Sequence, residues 1–389
     1  MTEGTTPGRA GPGGWRPLTG ITVLDFTRML PGGTATMVLA DLGARVIKIE
    51  HPPRGDETRW LAPRVGTDSS VQHQYLDRGK ESVFLDLKSE DGRAEAVRLA
   101  GTVDAVIESF RPGVADRLGV GYTDLLAVQP RLVYLSLSGY GADGPKATEA
   151  GHDLNFWGSA GLLGPEPDER SAGPGADAVN GGGTPDADSD PALRTPTVLG
   201  ADMTGGTLAA LALVAGVQQA RTTGAGVHLD LALADAALYL GGQQIAERLG
   251  SAELGEPVQS PLLGSSPCYN LYRCSDGLRI AVAAVEPKFW ARTATLVGHP
   301  DWAARQFDRS LIPEVRHLFA GHPRGHWVDL LVGQDTCVTA VLDIADLPAD
   351  PGVLDRGSLV RAETAAGEVW QVAPPVRTAG VHVTNTSAR

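Results

Sequence analysis

Cysteine is scarce: Cys268, Cys274 and Cys337 are the only three in 389 residues. An odd, small set without metal-ligand spacing argues against a disulfide framework and a cysteine-based zinc centre, and it fits a reducing compartment. Long hydrophobic runs are missing too. The longest apolar stretch, Leu208 to Val217, is too short to cross a bilayer, and no charged segment running into an apolar one opens the chain. Basic residues are outnumbered, 33 Lys plus Arg against 46 Asp plus Glu, for a net charge of -13. That balance opposes DNA or an anionic membrane as a partner. A cytoplasmic protein that binds neither nucleic acid nor membrane is expected, and any phosphate-bearing ligand must be met by a local group of cations.

The common catalytic fingerprints are absent as well. No G-x-G-x-x-G follows a strand pattern, and there is no G-x-x-x-x-G-K-S/T, H-E-x-x-H or G-x-S-x-G. The nine histidines are scattered, so no metal-ligand set is evident. Ordinary hydride transfer, phosphoryl transfer and metallohydrolase chemistry all lose ground.

What the chain does hold is a globular mix, 42% hydrophobic and 20% charged, too apolar for a disordered protein. Its length exceeds what one core usually serves, so a large domain with a smaller one is expected. Residues 1–17, rich in Gly, Pro and Thr, read as a disordered arm. From Leu18 onward, β-branched runs (Ile21–Phe26, Arg45–Glu50, Ser82–Leu87, Val103–Glu108 and Arg131–Ser138) alternate with helical patterns such as Gly33–Leu42 and Glu90–Ala100. This rhythm predicts an α/β fold, a doubly wound parallel sheet with ligands at the carboxyl ends of its strands.

The large domain is expected over 18–232, with a mobile surface loop at 165–196 where Gly, Pro, Asp, Ala and Ser dominate. Helix resumes at Asp202, and Thr204–Gln218 is apolar nearly all round, as a helix buried between layers would be. A linker helix is read over 233–262 and a small α+β domain over 263–362, with residues 363–389 returning to the large domain. The small domain's paired strands, Cys268–Arg273 and Leu278–Val285, flank a Ser-Asp-Gly turn. Helices at Lys288–Leu296 and Ile312–Phe319 follow.

Nine blocks stand in order along the chain: Leu18–Phe26, Leu39–Glu50, Arg78–Lys88, Phe110–Gly119, Leu137–Gly141 with Gly144-Pro145, Ala150–Asn155, Gly200–Asp202 with Gly205-Gly206, Ala284–Pro287 and Asp335–Thr339. Together they resemble the α-methylacyl-CoA racemases and their class III CoA-transferase relatives. The resemblance runs from about Leu18 to Arg356. It implies a Rossmann-like large domain holding coenzyme A, an interlocked homodimer, and no cofactor beyond the coenzyme A carried by the acyl-CoA substrate. By motif, His152, Asp202 and Glu286 match the catalytic residues. His152 and Asp202 would stand on opposite sides of the α-carbon, and Glu286 would orient and charge-stabilise the imidazole. Leu85, Lys88, Phe110 and Arg117 match coenzyme-binding positions, with Arg111 a further candidate. His51 stands where relatives commonly carry arginine.

The chemistry needs this arrangement. A thioester α-proton is weakly acidic, so its removal requires a base in contact and donors aimed at the oxygen that becomes the enolate. Inversion requires a second acid on the other face, and an imidazole paired with a carboxylate is stabilised once protonated. Asp202 lies just ahead of a predicted helix, and a backbone N–H near it is expected to bind the enolate oxygen.

Taken singly, each residue has a plainer role: Asp202 as an N-cap, His152 as a loop histidine, Glu286 as a strand end, Asp153 as the cap of the next helix. Joint occurrence in order reverses that weighting. The principal alternative is a CoA-transferase in which Asp202 attacks the thioester as a nucleophile. The presence of His152 and Glu286 favours proton transfer instead. A third reading keeps the coenzyme site but no catalysis, and a fourth uses the same proton chemistry on an unusual acyl group.

Overall fold

Six parallel strands frame the first of the two units into which the chain divides. The computed structural model describes residues 15–163, 195–256, 262, 264–364 and 367–377. The strands are β1 (Thr22–Phe26), β2 (Arg45–Glu50), β3 (Lys80–Phe84), β4 (Ala105–Glu108), β5 (Val133–Ser138) and β6 (Val227–Ala232), in the spatial order β3-β2-β1-β4-β5-β6. All neighbours pair in parallel. Parallel strands need crossover connections, which place helices on both faces and bury both sides of each strand. Accordingly β4 is buried at all four positions, and its alternate residues enter different cores.

On one face, Val23, Ala105, Ile107 and Leu135 pack with residues of helix α1 (Met29–Asp41) and of helix α4 (Gly200–Thr223). On the other, Leu24, Val106 and Tyr134 pack with Ala96 and Ala100 of α2 (Glu90–Ala100). Helix α4 carries no long side chains on its packed face: Ala209, Ala210, Leu213, Gly216 and Val217 are buried. A Cβ at Gly216 would stand 2.6 Å from Val133, so the small residue lets the helix lie directly on β5. By length and composition α4 could cross a membrane, yet here it is a core helix of the unit. Gly224, at φ +78, ends it in the left-handed conformation that glycine adopts without strain.

Several expectations are refined. Strand β6 was not read from the sequence, although Val227–Ala232 alternates apolar and polar residues as a half-exposed strand does. It sits at the edge of the sheet, with no neighbour on one side among the described residues. The linker helix read over 233–262 is two helices, α5 (Leu233–Leu240) and α6 (Gly242–Leu254), separated at Gly241, where a Cβ would stand 2.4 Å from Leu162. The strand read to Leu87 ends at Phe84, which leaves Leu85–Lys88 as a turn at the carboxyl edge. Most of the loop expected at 165–196 (residues 165–194), most of the N-terminal arm and residues 378–389 lie outside the described residues.

The second unit covers the described residues from Ala246 to Asp350. Its antiparallel sheet comprises β7 (Tyr269–Arg273), β8 (Arg279–Ala283) and β9 (Val338–Ala340), with β8 in the centre. Helices α7 (Pro287–Leu296), α8 (Ile312–Ala320) and α9 (Arg324–Leu331) close a core around Trp290, Trp302, Phe319 and Trp327. Buried indoles need acceptors. Trp290 donates to the Trp302 carbonyl at 2.7 Å and Trp327 to the Phe319 carbonyl at 3.0 Å. From Pro351 the chain belongs again to the first unit, where the hairpin Leu359–Thr364 and Gly367–Val372 is anchored by Gln371 Nε2 donating to the Gln74 carbonyl at 3.2 Å.

Candidate active site

Strand β1 ends at Phe26, and the chain turns through Thr27 and Arg28 into α1. Asp25, wholly enclosed, accepts the Thr27 N–H at 2.8 Å and its hydroxyl at 2.6 Å on one oxygen, and the Thr36 hydroxyl at 2.6 Å on the other. Lys48 of β2 donates to the Thr27 carbonyl at 3.3 Å, and Asp56 accepts the Met29 N–H at 3.2 Å. Met29 is held at φ +62, sparsely populated for a residue with a side chain, so the surrounding bonds over-determine this turn.

A cavity of about 340 Å³ opens against the turn. It lies at the carboxyl ends of β1 and β4, where the strand order changes direction, the usual ligand crevice of such sheets. Phe26, Ile49 and Phe110 give it apolar walls, while Arg28, His51 and Lys88 bring nitrogen-bearing side chains. Leu85, Lys88 and Phe110, singled out in the sequence, line it together. Arg111 and Arg117 are not among the lining residues: both are exposed, while Val114 and Leu118 beside them face inward. Arg28 was missed. Its place directly after the first strand was the available signal.

Carboxylates line the cavity too, but two of them are neutralised. Burial alone would raise Glu50, yet Arg59 grips it with two hydrogen bonds, at 2.7 and 2.6 Å, and holds it below the ordinary carboxylate range. Burial likewise opposes ionisation of Asp56, and the Lys48 ammonium at 2.9 Å overcomes it. His51 Nε2 lies 3.5 Å from Asp86.

A second group forms where two helices of the same unit begin. His152, its imidazole exposed, is the N-cap of α3 (Asp153–Ser159). Its N–H donates to Asn155 Oδ1 at 3.0 Å, and its carbonyl accepts the Asn155 N–H at 2.8 Å. The next residue, Asp153, is only 4% exposed, and its carboxylate accepts the backbone N–H of Asp202 at 2.9 Å. Two glycines permit this close approach. A Cβ at Gly151 would stand 2.8 Å from Phe156, and one at Gly200 would stand 2.5 Å from Trp157.

The Asp202 carboxyl is half-buried and is pushed up to about 6, first by burial and then by the charge of Asp153. Asp202 was expected just ahead of its helix and instead lies within it. Helix α4 begins at Gly200, so Asp202 lies inside its first turn. Its own N–H is engaged by Asp153, and an enolate oxygen would require another amide.

Glu286 belongs to the second unit, as the exposed N-cap of α7 with Pro287 as first residue. Buried Gln306 holds the chain just ahead of it: its Nε2 donates to the Ala284 carbonyl at 3.0 Å and to the Val285 carbonyl at 2.6 Å. Nothing in the sequence pattern pointed to Gln306. Asp335 and Cys337, at φ +60 and +53, bracket the buried Thr336 in the neighbouring turn, whose Cys337 carbonyl accepts the Ala283 N–H at 2.9 Å. Among the described residues, no group of three or more His, Cys, Asp or Glu is placed to hold a metal.

Fold and cavity together define the class, a doubly wound α/β protein with its ligand crevice at the switch point of the sheet. The chain belongs to CoA-transferase family III, whose model matches residues 18–388. It is 30% identical to the acetyl-CoA:oxalate CoA-transferase of Acetobacter aceti over 98% of this chain and 92% of that one. To the human α-methylacyl-CoA racemase it is 31% identical, over 89% and 83%. To the human succinyl-CoA:glutarate CoA-transferase it is likewise 31% identical, over 93% and 80%. Among solved structures, a CAIB/BAIF family protein from Brucella suis superposes with a TM-score of 0.75 at 26% identity, covering 95% of this chain and 94% of the other.

Proposed function

We propose that the protein is an isomerase that interconverts (2R)- and (2S)-2-methylacyl-CoA thioesters by proton transfer through an enolate. The observation that carries this reading is the Asp202 carboxyl at about 6, in the first turn of α4 and tied to the residue after His152. A carboxyl poised near neutrality can both take and return a proton, as inversion demands. In one direction His152 removes the α-proton and Asp202 protonates the opposite face; in the other the roles exchange. Glu286 would steady the imidazolium.

Coenzyme A would occupy the cavity at the ends of β1 and β4, adenine against Phe26 and Phe110, phosphates toward Arg28 and Lys88. The cavity falls within the ~300–1,000 Å³ range of small-molecule sites. Neutralisation of Glu50 and Asp56 by Arg59 and Lys48 removes two of the charges that would repel the phosphates.

A second reading is supported by the two relatives named as CoA-transferases. There the Asp202 carboxylate attacks the thioester carbonyl, coenzyme A leaves as thiolate, and the acyl group remains on Asp202 as a mixed anhydride. Incubating a 2-methylacyl-CoA in deuterated water separates the two. Uptake of α-deuterium without an acceptor acid supports isomerisation. No uptake, with coenzyme exchange dependent on a free carboxylic acid, rejects isomerisation in favour of transfer.

A further inference from the structure

We infer that Asp153 is a positioning residue for Asp202: its carboxylate clamps the first turn of α4 to the segment that carries His152. The inference rests on the isomerase reading for its catalytic meaning, but its geometry is independent of that reading. Asp153 follows His152 directly in the chain, so one carboxylate links the backbone of one proton-handling residue to that of the other. The bond is 2.9 Å long and the Asp153 side chain is almost wholly enclosed, so water offers it little competition.

A helix-capping role alone does not account for this contact. Asp153 is the first residue of α3, where an acidic side chain would favour the N–H groups of its own helix. It reaches instead to the backbone of a residue 49 positions away. Gly151 and Gly200, each too close to an aromatic ring of α3 to carry a Cβ, bracket the same junction.

The clamp also carries a charge. Among the described residues, helices α1, α3 and α5 and strands β5 and β6 pack on α4. Of their acidic groups, Asp41 lies at the far end of α1, paired with Arg78, Asp235 of α5 is exposed, and Asp230 of β6 is exposed and accepts the Ala142 N–H at 3.1 Å. Asp153 is the group whose charge acts on Asp202, adding to burial in disfavouring its ionised form.

The test compares the parent protein with Asp153→Asn and Asp153→Ala. Asparagine keeps an oxygen that can accept the Asp202 N–H but loses the charge; alanine loses both. Two measurements are made: α-deuterium exchange of a 2-methylacyl-CoA as a function of pH, and a carbon-13 NMR titration of the Asp202 carboxyl. Asp153→Asn is expected to keep most of kcat while the Asp202 midpoint and the acid limb of kcat/KM both move to lower pH. Asp153→Ala is expected to lose about 100-fold in kcat with KM changed less than about twofold, as for displacement of a group needed only in the transition state.

An Asp202 midpoint in Asp153→Asn that stays at the parental value, or a parental kcat in Asp153→Ala, overturns the inference. Should Asp153→Ala fail to fold, the midpoint in Asp153→Asn decides alone. Absence of exchange in the parent overturns only the isomerase reading, since the NMR titration still reports whether Asp153 acts on Asp202.

Discussion

The Lys48 ammonium and the Asp56 carboxylate meet at 2.9 Å with both side chains sealed from solvent, directly beneath the turn that walls the cavity. Desolvation would push Lys48 down and Asp56 up. The opposite happens to both, because Asp77, Asp25 and Asp56 surround the ammonium and Lys48 faces the carboxylate. The pair therefore holds only as a unit.

Removing one partner should be costly. Lys48→Met leaves the buried Asp56 carboxylate without its cation, while Asp77 keeps Lys80 at 2.8 Å, and a loss of about 3–5 kcal/mol in urea unfolding is expected. The pH dependence has a definite sign. Asp56 titrates below its ordinary 3.8 in the folded protein, so its contribution is fully present above that pH and is lost as pH falls further. A variant as stable as the parent at neutral pH would contradict this account of the cluster.

Asp202 should behave in the opposite sense. Its folded carboxyl titrates near 6, above the ordinary 3.8, so ionisation is unfavourable in the native state at pH 8 and the penalty is gone below both values. Asp202→Asn is therefore expected to raise the melting temperature at pH 8, to leave it nearly unchanged at pH 3, and to lower interconversion by roughly 100-fold or more. In the parent, interconversion should lose rate below about pH 6, and by the same factor from either epimer, because the two directions share one reversible path. Initial rates measured separately from each epimer check this.

Gln306 is 7% exposed, and its amide serves two successive carbonyls ahead of Glu286. Gln306→Leu leaves both acceptors without that donor, at about 1–3 kcal/mol each. We expect a lower melting temperature together with a lower kcat, because the backbone leading to Glu286 loses its fixed path. A kcat equal to the parent's in a folded Gln306→Leu protein would remove Glu286 from the reaction or Gln306 from its support.

Arg28 and Lys88 line the cavity on different elements. Each charge-assisted contact to a phosphate contributes about 1.5–3 kcal/mol, so Arg28→Ala and Lys88→Ala should each weaken coenzyme A binding by about tenfold or more. Because the phosphates are remote from the reacting carbon, KM should rise with kcat nearly constant. Arg111→Ala and Arg117→Ala, whose side chains are not among the cavity lining, should change Kd little. Isothermal titration with coenzyme A distinguishes the two pairs.

Much of the frame was legible because local pattern and burial agree along β1, β2 and β4. Their near-continuous apolar runs suit strands covered on both faces. Edge strand β6 carries the other strand pattern, His228 and Asp230 alternating with Val227, Leu229 and Leu231, in a six-residue signal that stands alone between two helices. The start of α4 lay outside any local pattern. Asp202 has the chemistry of an N-cap, but its amide is taken by a carboxylate 49 residues earlier, a partner that no local window contains.

By itself, then, the amino-acid order determined the alternation of strands and helices, the shortage of cations, and which side chains are chemically able to move a proton or meet a phosphate. Those properties reside in residue types and short spacings. Only the tertiary structure decided that Arg28 rather than Arg111 or Arg117 lines the cavity, that Lys48 neutralises Asp56, and that Asp153 holds Asp202. Each of these depends on distance and desolvation between segments far apart in the chain, and both are set when the layers pack.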